Sequence, residues 1–134
     1  GFSREDRDTN IARIAFVADL LARNEVPVIT AAISPYAETR DAARKLIGDD
    51  KFIEIHVATS LEECEARDTK GLYAKARSGE IKEFTGISDP YEAPENPEIT
   101  IQTEGATPDE SADQIFAYLE ANGFLAGELE GAAA

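Results

Sequence analysis

Methionine is absent from the 134 residues, although translation normally starts with one, and the chain opens on Gly1-Phe2-Ser3, which reads as the middle of a functional segment. The expectation is that upstream residues were cleaved, omitted or carried on another polypeptide. Cysteine is scarce: Cys64 stands alone. This excludes an intrachain disulfide and, with no secretory signal at the start, points to a reducing cytoplasm, with Cys64 as a small buried hydrophobe. No apolar run approaches the roughly 20 residues of a membrane span. Cations are few, five lysines and eight arginines against 27 acidic residues, for a formal charge of −14. Spread without an acidic block, that charge excludes nucleic-acid or anionic-membrane binding by bulk attraction. An anionic ligand must be held by a few local cations, and most of the 13 are expected to be solvated surface charges.

What is present fits one α/β domain. A chain of this length buries roughly two thirds of its unfolded surface, and 43% hydrophobic with 30% charged residues is a globular composition. Ser3 with Asp6 resembles a capping box, and Ile11, Ile14, Ala18 and Leu21 recur at helical steps, predicting a helix over 4–24 with those four inward. Residues 26–33 are apolar nearly throughout, which suits a strand covered on both faces, ended by Ser34-Pro35. Residues 37–47 read as a helix, 52–57 as a strand, and 60–67 as a helix opened by a capping box of Ser60 and Glu63. Residues 98–103 read as a last strand. Thr107-Pro108 with Glu110 starts a helix whose Ala112, Ile115, Phe116 and Leu119 face inward. Alternating strands and helices imply a parallel sheet flanked by helices. Between 68 and 97 the chain is polar and broken by glycine and proline, with one short helix over 72–77, as a functional loop or lid would be. Residues 1–125 are read as the domain and 126–134 as a linker or tail.

Three stretches carry candidate chemistry. In the first, Phe2, Arg7 and Asn10 lie at a helix N-terminus that favours anions; they suit an aromatic base, a phosphate and a ribose edge, or equally a staple and two surface groups. The second is Ile33-Ser34-Pro35, at what would be the carboxyl edge of the sheet, where ligands of such sheets bind; Ser34 is equally an ordinary turn residue. His56 is read as a core or strand-end histidine, not a base. The third concentrates Arg67, Lys70, Lys75, Arg77 and Lys82, five of the 13 cations, within 16 residues. Fixed positive charge is what phosphoryl transfer needs, though a solvated lid helix has the same look.

Taken together, Gly-Phe-Ser-x-x-Asp-Arg-x-x-Asn at 1–10, Ile33-Ser34-Pro35, Lys70-Gly71-Leu72-Tyr73-x-Lys75-Ala76-Arg77, Phe84-Thr85-Gly86-Ile87 and Asp89-Pro90-Tyr91-Glu92-Ala93-Pro94-Glu95-Asn96-Pro97 resemble the adenylylsulfate kinase family, from residue 1 to about residue 125. The resemblance implies a P-loop nucleoside-kinase-like fold and transfer of the ATP γ-phosphate to the 3′-hydroxyl of adenosine 5′-phosphosulfate, with Mg2+ accompanying the ATP. It implies that Phe2 and Phe84 sandwich the substrate adenine, that Arg7 and Asn10 hold its phosphosulfate and ribose side, and that Ile33 and Ser34 line the same pocket. Ser34 is the family's phosphoserine candidate, although direct in-line transfer needs no covalent serine. Lys70 would reach the anionic substrates from the lid, and Arg67 would pack on the adenine of ATP. A cytoplasmic homodimer is implied, and fusion to or association with ATP sulfurylase is allowed.

One element of that family is not in these residues. The glycine-rich loop Gly-x-x-x-x-Gly-Lys-Ser/Thr occurs nowhere, nor does an Asp-Gly-Asp stretch suited to magnesium. Without the loop's backbone N–H groups and lysine, phosphate positioning and charge neutralisation fail together. The chain alone is expected to be an incompetent kinase and, lacking the central strand that leads into that loop, unstable or aggregation-prone. The alternatives are an inactive nucleotide-binding or regulatory kinase-like module, and a kinase of the same fold acting on a sugar acid.

Overall fold

The computed structural model describes residues 3–125; Phe2 and the tail 126–134 lie outside them. Five helices and two strands follow in the order α1 (Arg4–Ala22), α2 (Ala37–Ile47), β1 (Ile55–Val57), α3 (Leu61–Arg67), α4 (Leu72–Arg77), β2 (Ile99–Ile101) and α5 (Pro108–Ala121), with a single 3-10 turn at Asp49–Lys51. The strands pair in parallel, with Ile55 opposite Ile99, His56 opposite Thr100 and Val57 opposite Ile101. The fold class is α/β, as the alternation of elements requires.

Each helix starts where local chemistry satisfies its first N–H groups. Ser3 accepts from the Asp6 amide at the head of α1, and Ser60 accepts from the Glu63 amide at the head of α3. At α3 only the serine half of the predicted capping box forms, because the Ser60 amide donates to Glu104 instead of Glu63. Thr107 and Glu110 form the complete reciprocal box on α5, with Pro108 at its first turn. The head of α2 has no cap of its own, since Tyr36 contributes no side-chain bond. Glu92, 55 residues away, supplies it: its Oε2 accepts from the Ala37 amide at 2.7 Å.

The core is small and sits in two places. Ile99 and Ile101 are buried on β2, beneath α5. Ile11, Ala15 and Ala18 of α1 meet α2 around Ala43, small side chains that let two helix backbones approach closely. Full burial of an isoleucine contributes about 1.5–3 kcal/mol, so few residues carry this structure.

Four expectations are corrected. Residues 26–33 form no strand: among the described residues nothing pairs with them, and Val28, Ile29 and Ile33 are exposed, Ile29 by 97%. A strand exists only as part of a ladder, and β1 and β2 pair only with each other. Leu21 is exposed, because α1 buries its 11, 15 and 18 positions and turns Phe16, Val17, Leu20 and Leu21 outward. Phe116 is exposed as well, since α5 packs chiefly on β2, with Ala112, Ile115 and Leu119 half-buried. Cys64 is half-buried and not a core residue.

Candidate functional site

The loop at 83–92 is where separate parts of the sequence converge. It closes on itself through Gly86 N donating to Asp89 O at 2.8 Å and Asp89 N donating to Phe84 O at 3.0 Å, with the Ser88 hydroxyl accepting from Phe84 N at 2.8 Å. Gly86 has a φ of +87°, a conformation that calls for glycine, and a Cβ there would stand 3.2 Å from Leu61 Cδ1 on α3, whose side chain would have to give way.

Arg7 reaches this loop from the first turns of α1. Its guanidinium donates to the Thr85 hydroxyl and to the Glu83 carbonyl, and it pairs with Asp89 at 3.5 Å. Only 13% of its side chain is exposed, unlike the solvated surface cation that composition predicts. Phe84 sits between those anchor points, its ring meeting the Tyr73 ring edge-on with centroids 5.1 Å apart. Tyr73 belongs to α4, whose head is fixed by Asp68: the carboxylate accepts from the amides of Tyr73 at 3.0 Å and Ala74 at 3.1 Å. Those amides hold the Asp68 carboxyl below the usual carboxylate range. Burial, then the neighbouring Cys64 thiol, pushes the Tyr73 hydroxyl up. Arg7, Phe84 and α4 are thereby joined.

The other end of the loop is sewn to residues 34–40. Glu92 N donates to Pro35 O at 2.8 Å, and its carboxylate takes the Ala37 amide. Arg40, on the first turn of α2, points three ways: Nη1 to Ser34 O at 2.7 Å, Nη2 to Glu92 O at 2.6 Å, and Nε to Glu54 Oε1 at 2.9 Å. Ser34 has a φ of +42°, an uncommon conformation for a residue with a side chain, and its carbonyl is held there by that guanidinium. Tyr91 lies under Arg40 at 6.0 Å and stacks on His56 of β1 at 6.1 Å. Burial raises the Tyr91 hydroxyl above its ordinary value, with Arg40 opposing. His56 is thus a strand histidine stacked on an aromatic, and it makes no contact with Ser34 in this arrangement.

Behind Arg40 the charges continue. Arg44 pairs with Glu98 at 2.7 Å and lies 3.9 Å from the second Glu54 oxygen, while Glu98 also accepts from Glu54 N at 2.6 Å. Burial pushes the Glu98 carboxyl up, but Arg44 and the Glu54 amide outweigh it and hold the group below the usual range. Composition gives no hint of this network. The signal available in the sequence was the one-turn spacing of Arg40 and Arg44 on one helix face, next to acids at 54 and 98.

The remaining candidates are not drawn in. Asn10, Ile33 and Lys70 are exposed. Arg67 binds Glu63 at 2.7 Å, the Thr103 hydroxyl at 3.1 Å and the Thr103 carbonyl at 3.1 Å, which fastens α3 to the turn after β2. Arg77 is engaged by Glu65. The cation cluster is therefore partly neutralised, leaving Lys70, Lys75 and Lys82 exposed. Among the described residues no group of three or more His, Cys, Asp or Glu side chains is placed to hold a metal ion. No helix among them is long and apolar enough to cross a membrane.

Comparison with known proteins follows the same residues. The family model for adenylylsulphate kinase matches residues 1–102. The adenylyl-sulfate kinase of Halothermothrix orenii is 53% identical over 125 residues, covering 93% of this chain and 66% of the relative. That of Rippkaea orientalis is 58% identical over 126 residues, covering 94% and 68%. The chain thus spans about two thirds of the length of these curated relatives. Among solved structures, Mycobacterium tuberculosis APS kinase in complex with AMPPNP and APS superposes with a TM-score of 0.84 at 47% identity, covering 90% of this chain and 70% of that one. The hexameric APS kinase from Thiobacillus denitrificans superposes at 0.67 and 35% identity, covering 96% of this chain and 20% of that one.

Proposed function

The chain belongs to the adenylylsulphate kinase family, and from that premise we propose that the protein phosphorylates adenosine 5′-phosphosulfate with ATP. The γ-phosphoryl group leaves the β–γ bridging oxygen and bonds to the 3′-oxygen of adenylyl sulfate. The products are ADP, 3′-phosphoadenylyl sulfate and the proton of the 3′-hydroxyl. The observation that carries this reading is the likeness, over 90% of this chain, to an APS kinase bound to AMPPNP and APS.

In this reading the pocket lies along the 83–92 loop, with the 33–35 segment as its other wall. Phe84, already braced by Tyr73, offers a face for the adenine, with Phe2 as its counterpart. Arg7 holds the loop in shape and presents its guanidinium to the phosphosulfate, while Asn10 serves the ribose side. Ile33 and Ser34 line the wall. Ser34 needs no covalent role, since in-line transfer requires position and charge. Lys70 supplies charge from the lid, and Arg67 serves the ATP side. Magnesium enters on the phosphates of ATP, and no step here is assigned to it. The cytoplasm, where both nucleotides are made available, is the fitting compartment, and self-association is expected of the family.

The test is ADP release by the natural full-length polypeptide, with and without adenylyl sulfate. Adenylyl-sulfate-dependent release at micromolar substrate supports the reading; Arg7→Ala should then raise the KM for adenylyl sulfate roughly 10–100-fold by loss of a charge-assisted contact. Because the 134 residues contain no glycine-rich phosphate loop, the chain by itself should show no turnover. Binding of adenylyl sulfate without turnover, even in the full-length polypeptide, would instead identify a nucleotide-binding or regulatory module.

A further inference from the structure

Arg40 is absent from every role assigned so far, yet it is one of the most enclosed cations in the molecule, with 11% of its side chain exposed. Its three donor directions go to three segments distant in sequence: the Ser34 carbonyl, the Glu92 carbonyl and the Glu54 carboxylate. Surrounding bonds follow the same seam, from Glu92 N to Pro35 O and from Ala37 N to Glu92 Oε2. We propose that Arg40 is a positioning residue for the adenylyl-sulfate pocket, clamping its two walls, the 33–35 segment and the 84–92 loop, at a fixed separation. The assignment rests on the function proposed above.

The physical case has three parts. A guanidinium is a planar fork, so two carbonyls bound by its two terminal nitrogens are held at a set distance and angle, which a lysine does not reproduce. Glu54 neutralises the charge and fixes the fork's rotation through Nε, so the remaining two nitrogens are left for the walls. Ser34 has a positive φ without being glycine. Such a conformation persists only where its surroundings impose it, and the bond to its carbonyl is the visible constraint. Arg40 acts through Ser34 and the loop that carries Phe84.

Two measurements test it together in the full-length polypeptide, on Arg40→Lys, Arg40→Met and Glu54→Gln. Amide hydrogen exchange reads the seam directly: the Ala37 and Glu92 amides should exchange at least about tenfold faster in R40M, with β1 and β2 amides unchanged. Steady-state kinetics read the consequence. KM for adenylyl sulfate should rise about tenfold or more in R40M and less in R40K and E54Q, while KM for ATP stays within about twofold. A uniform loss of kcat with both KM values unchanged, or equal rises in both, overturns the proposal, as does unaltered exchange at the seam. Should R40M fail to fold, R40K and E54Q decide by the same two readings. An unaltered protein that does not use adenylyl sulfate removes the pocket role along with the proposed function, whereas the exchange data still decide whether Arg40 holds the seam.

Discussion

Around β1 the charged residues find one another: Arg40, Arg44, Glu54 and Glu98 share hydrogen bonds of 2.6–2.9 Å across three separate parts of the chain. Along residues 26–33 and the outer side of α1, the apolar residues find nothing, with Phe16, Val17, Leu20, Ile29 and Ile33 all exposed. The first region is held by directional bonds that each name their partner. The second carries apolar area that the described fold leaves in water. Hydrophobic burial is proportional to area removed from solvent, so the second region adds little to stability here, however apolar its sequence.

The sharpest way to break this comparison is one substitution in each kind of environment. Ile101, 3% exposed on β2, should cost about 3 kcal/mol on replacement by Ala, from lost transfer energy and the cavity left behind. Ile29→Ala, at a position 97% exposed, should change stability by less than about 0.5 kcal/mol. Urea denaturation of both variants provides the check. A large loss at Ile29 would mean that the strip is covered in solution, and the contrast between the regions would disappear.

Next in size is the charged network. Arg44→Met leaves Glu98 half-enclosed without its cation and removes one contact of Glu54, for an expected loss of about 2 kcal/mol. The same denaturation series reads it. If the loss is under about 0.5 kcal/mol, the network behaves as an ordinary surface pair and the first region is not held as described.

What was legible in the sequence follows the same division. The bounds of α2 and α4 and the parallel pairing come directly from helical periodicity and alternation, which are local properties. The strand expected at 26–33 does not form, because an apolar run reports a wish to be covered and says nothing about whether a ladder partner exists. Helical spacing points to Arg7 and the family resemblance to Phe84, and the structure sets the Arg7 guanidinium, from α1, on the loop that carries Phe84. The resemblance points equally to Lys70, Asn10 and Arg67, of which Lys70 and Asn10 are exposed and Arg67 is bound to Glu63 and Thr103. A glutamate that caps a helix 55 residues away, as Glu92 does, leaves no periodic trace, and the one-turn spacing of Arg40 from Arg44 does not reveal that Arg40 binds two backbone carbonyls.

Smaller, but specific to the network, is its response to acid. The folded Glu98 carboxyl titrates below its ordinary range because Arg44 and the Glu54 amide favour its charged form. Its contribution is therefore whole above the unfolded glutamate value of about 4.3 and is lost as the pH falls through the lower folded value. The stability gap between the unaltered chain and Glu98→Gln should be widest near neutrality and narrow progressively as the pH falls below the unfolded glutamate value of about 4.3. A gap that stays constant with pH would assign the effect to packing and not to charge.

The smallest expected effect tests the weakly packed side. Helix α5 buries no residue fully, so its start depends heavily on the box in which Thr107 accepts from the Glu110 amide at 3.2 Å and Glu110 accepts from the Thr107 amide at 2.7 Å. Thr107→Ala removes the hydroxyl acceptor and should cost about 1 kcal/mol, whereas Thr107→Ser keeps the acceptor and should cost much less. Helical signal and amide exchange over 108–112 separate the two cases. If Ala there destabilises the whole domain as strongly as Ile101→Ala, α5 is bound into the core more tightly than its exposed Phe116 indicates. If exchange quickens only in the first turn while global stability drops by the cap's own worth, the helix is held at its head by hydrogen bonds and along its length chiefly by packing on β2.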